Sequence, residues 1–138
     1  MDEREAVLGR LWELTTLLSD DLDKGLAERG LTRSRAPVVW QLHQRGPVTQ
    51  RELAEALGVT ARNVTGLVDG LEAAGIVTRE PHPTDRRATL ITLTERGAAS
   101  AAEMATRQRD FAHDLFADEP DLATFAAVLD RVLARLRP

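Results

Sequence analysis

Thr49-Gln50-Arg51-Glu52-Leu53-Ala54-Glu55-Ala56-Leu57-Gly58-Val59-Thr60-Ala61-Arg62-Asn63-Val64-Thr65-Gly66-Leu67-Val68-Asp69-Gly70-Leu71 is the stretch from which the rest of the chain can be read. It opens with a hydroxyl three residues ahead of a carboxylate, Thr49 and Glu52, the capping-box signature of a helix start. Leu53, Ala54 and Leu57 give one apolar face before Gly58 stops that helix. A second helix restarts at Thr60 with Val64, Leu67, Val68 and Leu71 at helical spacing, and it ends at Gly75. Two short helices joined by about three residues that include a glycine form a helix-turn-helix, whose second helix fits a major groove.

Downstream, Ile76 to Glu80 and Thr89 to Leu93 alternate apolar and polar residues around a proline-rich turn, which predicts a β-hairpin. The hairpin tip carries Asp85-Arg86-Arg87, and the second strand leaves through Leu93-Thr94-Glu95-Arg96-Gly97. These features, with Leu53-Ala54-Glu55-Ala56-Leu57-Gly58-Val59 and Leu71-Glu72-Ala73-Ala74-Gly75-Ile76-Val77, make the chain similar to the MarR family of bacterial transcription regulators. A helix-turn-helix alone is a weak signal; the Asp-x-Arg wing and the Leu-Thr-x-x-Gly exit make it specific.

The flanks fit the same plan. Residues 3 to 28 read as one long helix with Val7, Leu11, Leu14, Leu18 and Leu22 spaced by threes and fours, broadened by Trp12, Leu17 and Leu26. Gly30 ends it, and Thr32 is expected to cap a following helix that holds Pro37 near its start and Val38, Val39, Trp40 and Leu42 on its apolar surface. Arg45-Gly46-Pro47 breaks that helix. Beyond the hairpin, Thr94 caps a helix whose face of Ala98, Ala101, Ala102 and Ala105 is small, and a run from Arg107 to Phe116 continues it. Asp118-Glu119-Pro120 is a break, and the last helix carries Leu122, Phe125, Ala126, Leu129, Val132, Leu133 and Leu136 along one seam. The fold class is mainly α with a small β-hairpin wing. Residues 33–96 form the winged helix-turn-helix part, and 1–30 and 97–138 form a helical dimerisation part, within one domain spanning 1–138.

Leu11, Leu14 and Leu18 with Leu122, Phe125, Leu129, Val132 and Leu136 carry more apolar surface than the winged segment can cover. They are expected to meet a second copy in a symmetric homodimer, with two wings and two recognition helices on one side. The MarR resemblance implies the same arrangement.

A net charge of −4 looks wrong for a DNA binder until its distribution is read. Residues 33–96 hold nine arginines against seven carboxylates, a net of +2. Residues 1–32 stand at −4, from four basic and eight acidic groups, and residues 97–138 at −2, from five and seven. The central block is basic beside flanks that repel phosphate, as a directed DNA face requires.

Within that block the outward face of the second helix presents Ala61, Arg62, Asn63, Thr65, Gly66 and Asp69. Arginine pairs bidentately with guanine, asparagine with adenine, and threonine touches a thymine methyl. Arg62, Asn63 and Thr65 are therefore expected at base edges, although Asn63 and Thr65 also suit a helix start. Gly66 would let the phosphate backbone come close, and Thr60 combines an N-cap with a phosphate contact. Gln50 and Arg51, at the start of the preceding helix, are expected at phosphates. Asp85 and Arg87 lie two apart and, on an extended segment, would project to one side. The carboxylate would orient the Arg87 guanidinium into the minor groove, with Arg86 beside it. The resemblance implies the same roles; the competing reading is a surface ion pair of little energy.

Zero cysteines exclude disulfides, thiolate metal sites and thiol redox sensing. His43, His82 and His113 show no metal-ligand spacing, so no metal or cofactor is expected. There is no nucleophile triad in a motif context and no phosphate loop, so an enzyme is not expected. An effector would bind non-covalently, in a cleft that Trp12, Trp40 and His43 could line, although both tryptophans sit on apolar stripes and read more readily as core. The charged N-terminus lacks an apolar signal segment, and no run approaches the roughly 18 apolar residues of a membrane span, so a cytoplasmic protein is expected. The leading reading is a dimeric repressor that occupies a palindromic site in double-stranded DNA and is released by a small-molecule effector. The alternative, a winged-helix protein-interaction module, would be expected to expose aromatics where Arg62, Asn63 and Thr65 stand.

Overall fold

A computed structural model describes all residues, Met1–Pro138. Six helices and three strands follow one another as α1 (Glu3–Ala27), α2 (Ala36–Arg45), β1 (Val48–Thr49), α3 (Gln50–Leu57), α4 (Ala61–Ala73), β2 (Val77–Pro81), β3 (Thr89–Leu93), α5 (Glu95–Leu115) and α6 (Leu122–Leu136). Two compact units divide the chain, Met1–Met104 and Ala105–Pro138, and α5 runs from the first into the second.

Local signals set most boundaries. Asp2 and Glu5 close a reciprocal capping box at the start of α1. Thr49 caps α3 by accepting the Glu52 amide at 3.1 Å, and Thr60 caps α4 by accepting the Asn63 amide at 3.1 Å. Gly58 turns left-handed at φ 65°, a conformation that a residue with a Cβ adopts only with strain, and so stops α3 on its mark. Thr32 does not cap α2, as the spacing suggested. Its hydroxyl accepts the Arg35 amide at 3.3 Å across a single turn, and α2 begins after Arg35, with Pro37 in its first turn where a missing N–H costs little. Beside that turn, Arg33 hydrogen-bonds Asp23 through Nη2 at 2.6 Å and holds the Asp23 carboxyl below its usual range.

The expected two-stranded hairpin has a third member. β1, only two residues long, pairs antiparallel with β3 (Val48 opposite Ile91), so β3 lies between β1 and β2. On the other side of β3, Val77 stands opposite Leu93 and Arg79 opposite Ile91. Val38, Val39, Leu42, Val48, Leu53, Val64, Val68, Leu71, Ile76, Val77 and Ile91 are all buried and form one core under the helix-turn-helix, with Leu26, Leu31 and Ala101 joining it. Thr94 closes the exit from the wing: its hydroxyl donates to the Gly75 carbonyl at 2.6 Å and accepts the Gly97 amide at 3.0 Å. A Cβ at Gly97 would collide with the Ile76 carbonyl oxygen, so only glycine lets α5 start this close to the base of the wing.

The flanking helices expose what the core does not use. Along α1, Val7, Leu8, Leu14, Leu17, Leu18 and Leu22 are exposed and Leu11 is half-buried. Trp12, read as core from its stripe, is 66% exposed. No residue of α6 is buried: Leu122, Phe125, Val128, Leu133 and Leu136 are exposed, and Leu129 and Val132 are half-buried. No helix is long and apolar enough to cross a membrane.

Candidate nucleic-acid interface

Val64, Val68 and Leu71 are fully buried and fix α4 by one face, which leaves Ala61, Arg62, Asn63, Thr65 and Gly66 exposed on the other. A Cβ at Gly66 would meet nothing within 4 Å, so the chain itself has no steric need for glycine there. Gly70, one turn on, differs: the Arg35 guanidinium fills the space its side chain would take, with Nη2 at 2.5 Å from the Cβ position.

Pairing within the chain sorts the arginines of the central block. Arg33 is bonded to Asp23, Arg45 to Glu52 (3.7 Å), Arg51 to Glu55 (3.4 Å) and Arg79 to Asp69 and Glu72. Arg62, Arg86 and Arg87 make no ion pair and are exposed. Half-buried Arg35 and exposed Arg96 make no ion pair either, but the Arg35 guanidinium packs at Gly70 and Arg96 donates to the Ala74 carbonyl at 3.3 Å, so the guanidinium groups of this block without a partner inside the chain stand at the start of α4 and at the tip of the wing. The Arg51–Glu55 contact is highly exposed, 89% and 70%, and holds Arg51 only weakly.

Asp85 works differently from the sequence expectation. Residues 85–88 form a tight turn rather than an extended segment, with the Ala88 amide donating to the Asp85 carbonyl at 3.1 Å. The Asp85 carboxylate accepts the backbone amide of Arg87 at 3.0 Å, so it shapes the turn instead of gripping the Arg87 guanidinium. His82 adds a second brace, its Nδ1 accepting the amides of Thr84 (3.2 Å) and Asp85 (3.0 Å). No motif in the sequence marks His82; its position two and three residues ahead of the turn amides of Thr84 and Asp85 is the signal that does.

Gln50 and Thr65 are also partly committed inside the chain. Gln50 Nε2 donates to Thr65 Oγ1 at 3.1 Å, and Thr65 Oγ1 donates to the Ala61 carbonyl at 3.0 Å. Gln50 Oε1 in turn accepts from Arg79 Nε at 3.2 Å. Arg79, which the sequence reading missed, is the centre of this group. It shares the strand face of buried Val77 and stands opposite buried Ile91, so its stem points to the helices, and its side chain is only 24% exposed. Nη2 reaches Asp69 at 2.6 Å and Nη1 reaches Glu72 at 2.9 Å, while the Arg79 amide donates to the other Glu72 oxygen at 3.3 Å. A charged residue in phase with Val77 on an inward strand face was its sequence signature.

Of the suggested effector cleft, Trp40 and His43 come together, with ring centroids 5.5 Å apart. Trp12 is exposed on α1. No group of three or more His, Asp or Glu side chains gathers in a metal-binding cluster.

Helix, turn, helix and a three-stranded wing packed on one core define a winged helix-turn-helix. The MarR family model matches residues 31–89. The Salmonella typhimurium multiple antibiotic resistance protein MarR is 30% identical over 132 residues, covering 91% of this chain and 90% of that protein. A shorter match joins it to the HTH-type regulator YcgE of Bacillus subtilis, 48% identical over 50 residues, which is 36% of this chain and only 32% of YcgE. The S. aureus MepR structure in complex with DNA shares the fold at a TM-score of 0.70 and 22% identity, covering 96% of this chain and 98% of that one. The chain belongs to the MarR family of winged-helix transcription regulators.

Proposed function

We propose that this protein is a homodimeric repressor that binds a palindromic promoter site in double-stranded DNA and is released by a small-molecule effector. The observation that carries the DNA reading is the placement of three exposed arginines with no carboxylate partner: Arg62 at the start of α4, and Arg86 and Arg87 at the tip of a braced turn. Arg62 and Asn63 lie where side chains read base edges from a major groove, with Thr65 held beside them by Gln50. Gly66 lets the backbone approach, while Thr60, Gln50 and Arg51 face phosphates. Arg86 and Arg87 enter the adjacent minor groove, presented by Asp85. That MepR has been seen on DNA with the same fold supports the arrangement.

Dimerisation rests on the bare seams. Leu14, Leu18, Leu122, Phe125 and Leu136, each at least 37% exposed, would leave a large apolar surface in water unless a second copy buries them, together with half-buried Leu11, Leu129 and Val132. The effector reading rests on the Trp40–His43 pair, which offers an aromatic surface to an apolar ligand, with Trp12 exposed on α1.

The test is selection of bound fragments from the source genome with purified protein. Enrichment of a palindrome whose half-sites sit about one helical turn apart is expected. Recovery of no sequence above background overturns the reading.

A further inference from the structure

We propose that Arg79 is the positioning residue that sets the angle of the wing against the recognition helix α4, and so places Arg87; this rests on the DNA-binding reading above. The base of the wing is held by buried Val77 and Ile91, but the turn at its far end lies in solvent beyond Pro81 and Thr89. Between the two, a single side chain ties β2 to the helix-turn-helix. Arg79 reaches α4 at Asp69 (2.6 Å), at Glu72 (2.9 Å) and at the Thr65 carbonyl (3.4 Å), and α3 at Gln50 (3.2 Å). Glu72 holds both ends of the residue, one oxygen on the guanidinium and the other on the backbone amide, which fixes strand as well as side chain.

The planar fork of arginine suits this task, since it meets several acceptors in fixed directions where an ammonium meets them as a point charge. Its exposure of 24% shields the contacts from full screening. Phosphate capture is the competing role for a basic residue at this place. Arg79 with its partners Asp69 and Glu72 sums to one negative charge, which disfavours it. The guanidinium therefore acts through the wing.

The experiment is a double-mutant cycle on the full-length protein, read as affinity for a DNA fragment selected by the wild type. Arg79→Met keeps the aliphatic stem and removes every donor. If Arg79 acts by placing Arg87, then Arg79→Met and Arg87→Ala each weaken binding by roughly tenfold, and together they weaken it by little more than either alone. Combined with Arg62→Ala the losses multiply instead, because α4 is held by its own buried face. The salt dependence of affinity should not flatten further when Arg79→Met is added to Arg87→Ala, whereas loss of a phosphate contact would flatten it. Losses that multiply with Arg87→Ala, or an Arg79→Met protein that binds like wild type, overturn the proposal. Should Arg79→Met fail to fold, the isosteric pair Asp69→Asn and Glu72→Gln cuts the same link from the helix side and carries the same expectation. A wild-type protein that selects no DNA overturns the DNA-binding reading itself, before any variant is compared.

Discussion

Gly66→Ala should make the protein more stable and a poorer DNA binder at once. Glycine in an exposed helix interior costs roughly 0.5–1 kcal/mol relative to alanine, through the freedom it loses on folding. Gly66 lies within α4, its φ is not in the left-handed region, and an added methyl meets nothing within 4 Å, so the full gain is available. For a chain of this size about 1 kcal/mol raises the melting temperature by about 3 °C. Two internal controls fix the scale. At Gly70 the new methyl would displace the Arg35 guanidinium, whose Nη2, Cζ and Nε lie 2.5–2.9 Å from it, and most of the gain should disappear. At Gly97 it would collide with the Ile76 carbonyl, which is backbone and cannot move aside, so destabilisation of about 1–3 kcal/mol is expected. The DNA side follows from the absence of any internal reason for glycine: if the nucleic acid approaches α4 at this point, a methyl there should weaken binding about fivefold or more. Thermal melts of the three variants, with fluorescence anisotropy on labelled DNA, measure both quantities. A Gly66→Ala protein that melts lower refutes the exposed-face assignment. One that melts higher and binds unchanged refutes the close approach.

Arg62→Ala should cost roughly 1–3 kcal/mol and relax base preference at one position per half-site, whereas Arg87→Ala should weaken binding to many sequences and soften only a flanking A·T preference. Site selection on each purified variant distinguishes them, and the reverse pattern would exchange the roles of helix and wing. Asp85→Ala should mimic a mild Arg87→Ala, but Asp85→Asn should stay near wild type, because an amide oxygen still accepts the Arg87 backbone N–H; equal losses in the two would restore a charge-pairing role. If a second copy buries the α6 seam as proposed, Leu129→Asp should give a smaller sedimenting species with reduced helical circular dichroism, since obligate dimers often lack a stable protomer. The depressed Asp23 carboxyl predicts a pH effect of definite sign. Its bond to Arg33 is intact above the ordinary carboxylate value, about 3.9, and is lost as acid carries the pH down through the lower folded value. The melting difference between wild type and Asp23→Asn should therefore be constant from neutrality to about pH 5 and shrink below about pH 4.

The ends of α3 and α4 were legible in the sequence, because caps and stops act within four residues. Thr49, Thr60, Gly58 and Gly75 each set their boundary whatever the rest of the chain does. The strand β3 was legible for a similar reason, since alternation over Thr89–Leu93 needs only the pleat. The family was legible from the same local runs. Other features needed partners that local pattern cannot name. β1 is two residues long, too short for any period, and exists only because β3 offers it a free edge. Asp85 was assigned to the wrong group of Arg87, because an extended tip and a tight turn share one sequence and differ only in how Ala88 closes back on Asp85. Gln50 and Arg79 meet across 29 positions, and Arg79 reads as one more surface arginine until the sheet turns its face to Asp69 and Glu72. Sequence periodicity also placed Trp12 on an apolar stripe without saying what lies against it, and its side chain is 66% exposed. Short-range hydrogen bonds and periodicity write the elements into the sequence; which charged side chain meets which acceptor depends on how those elements stack, and only the assembled core decides that.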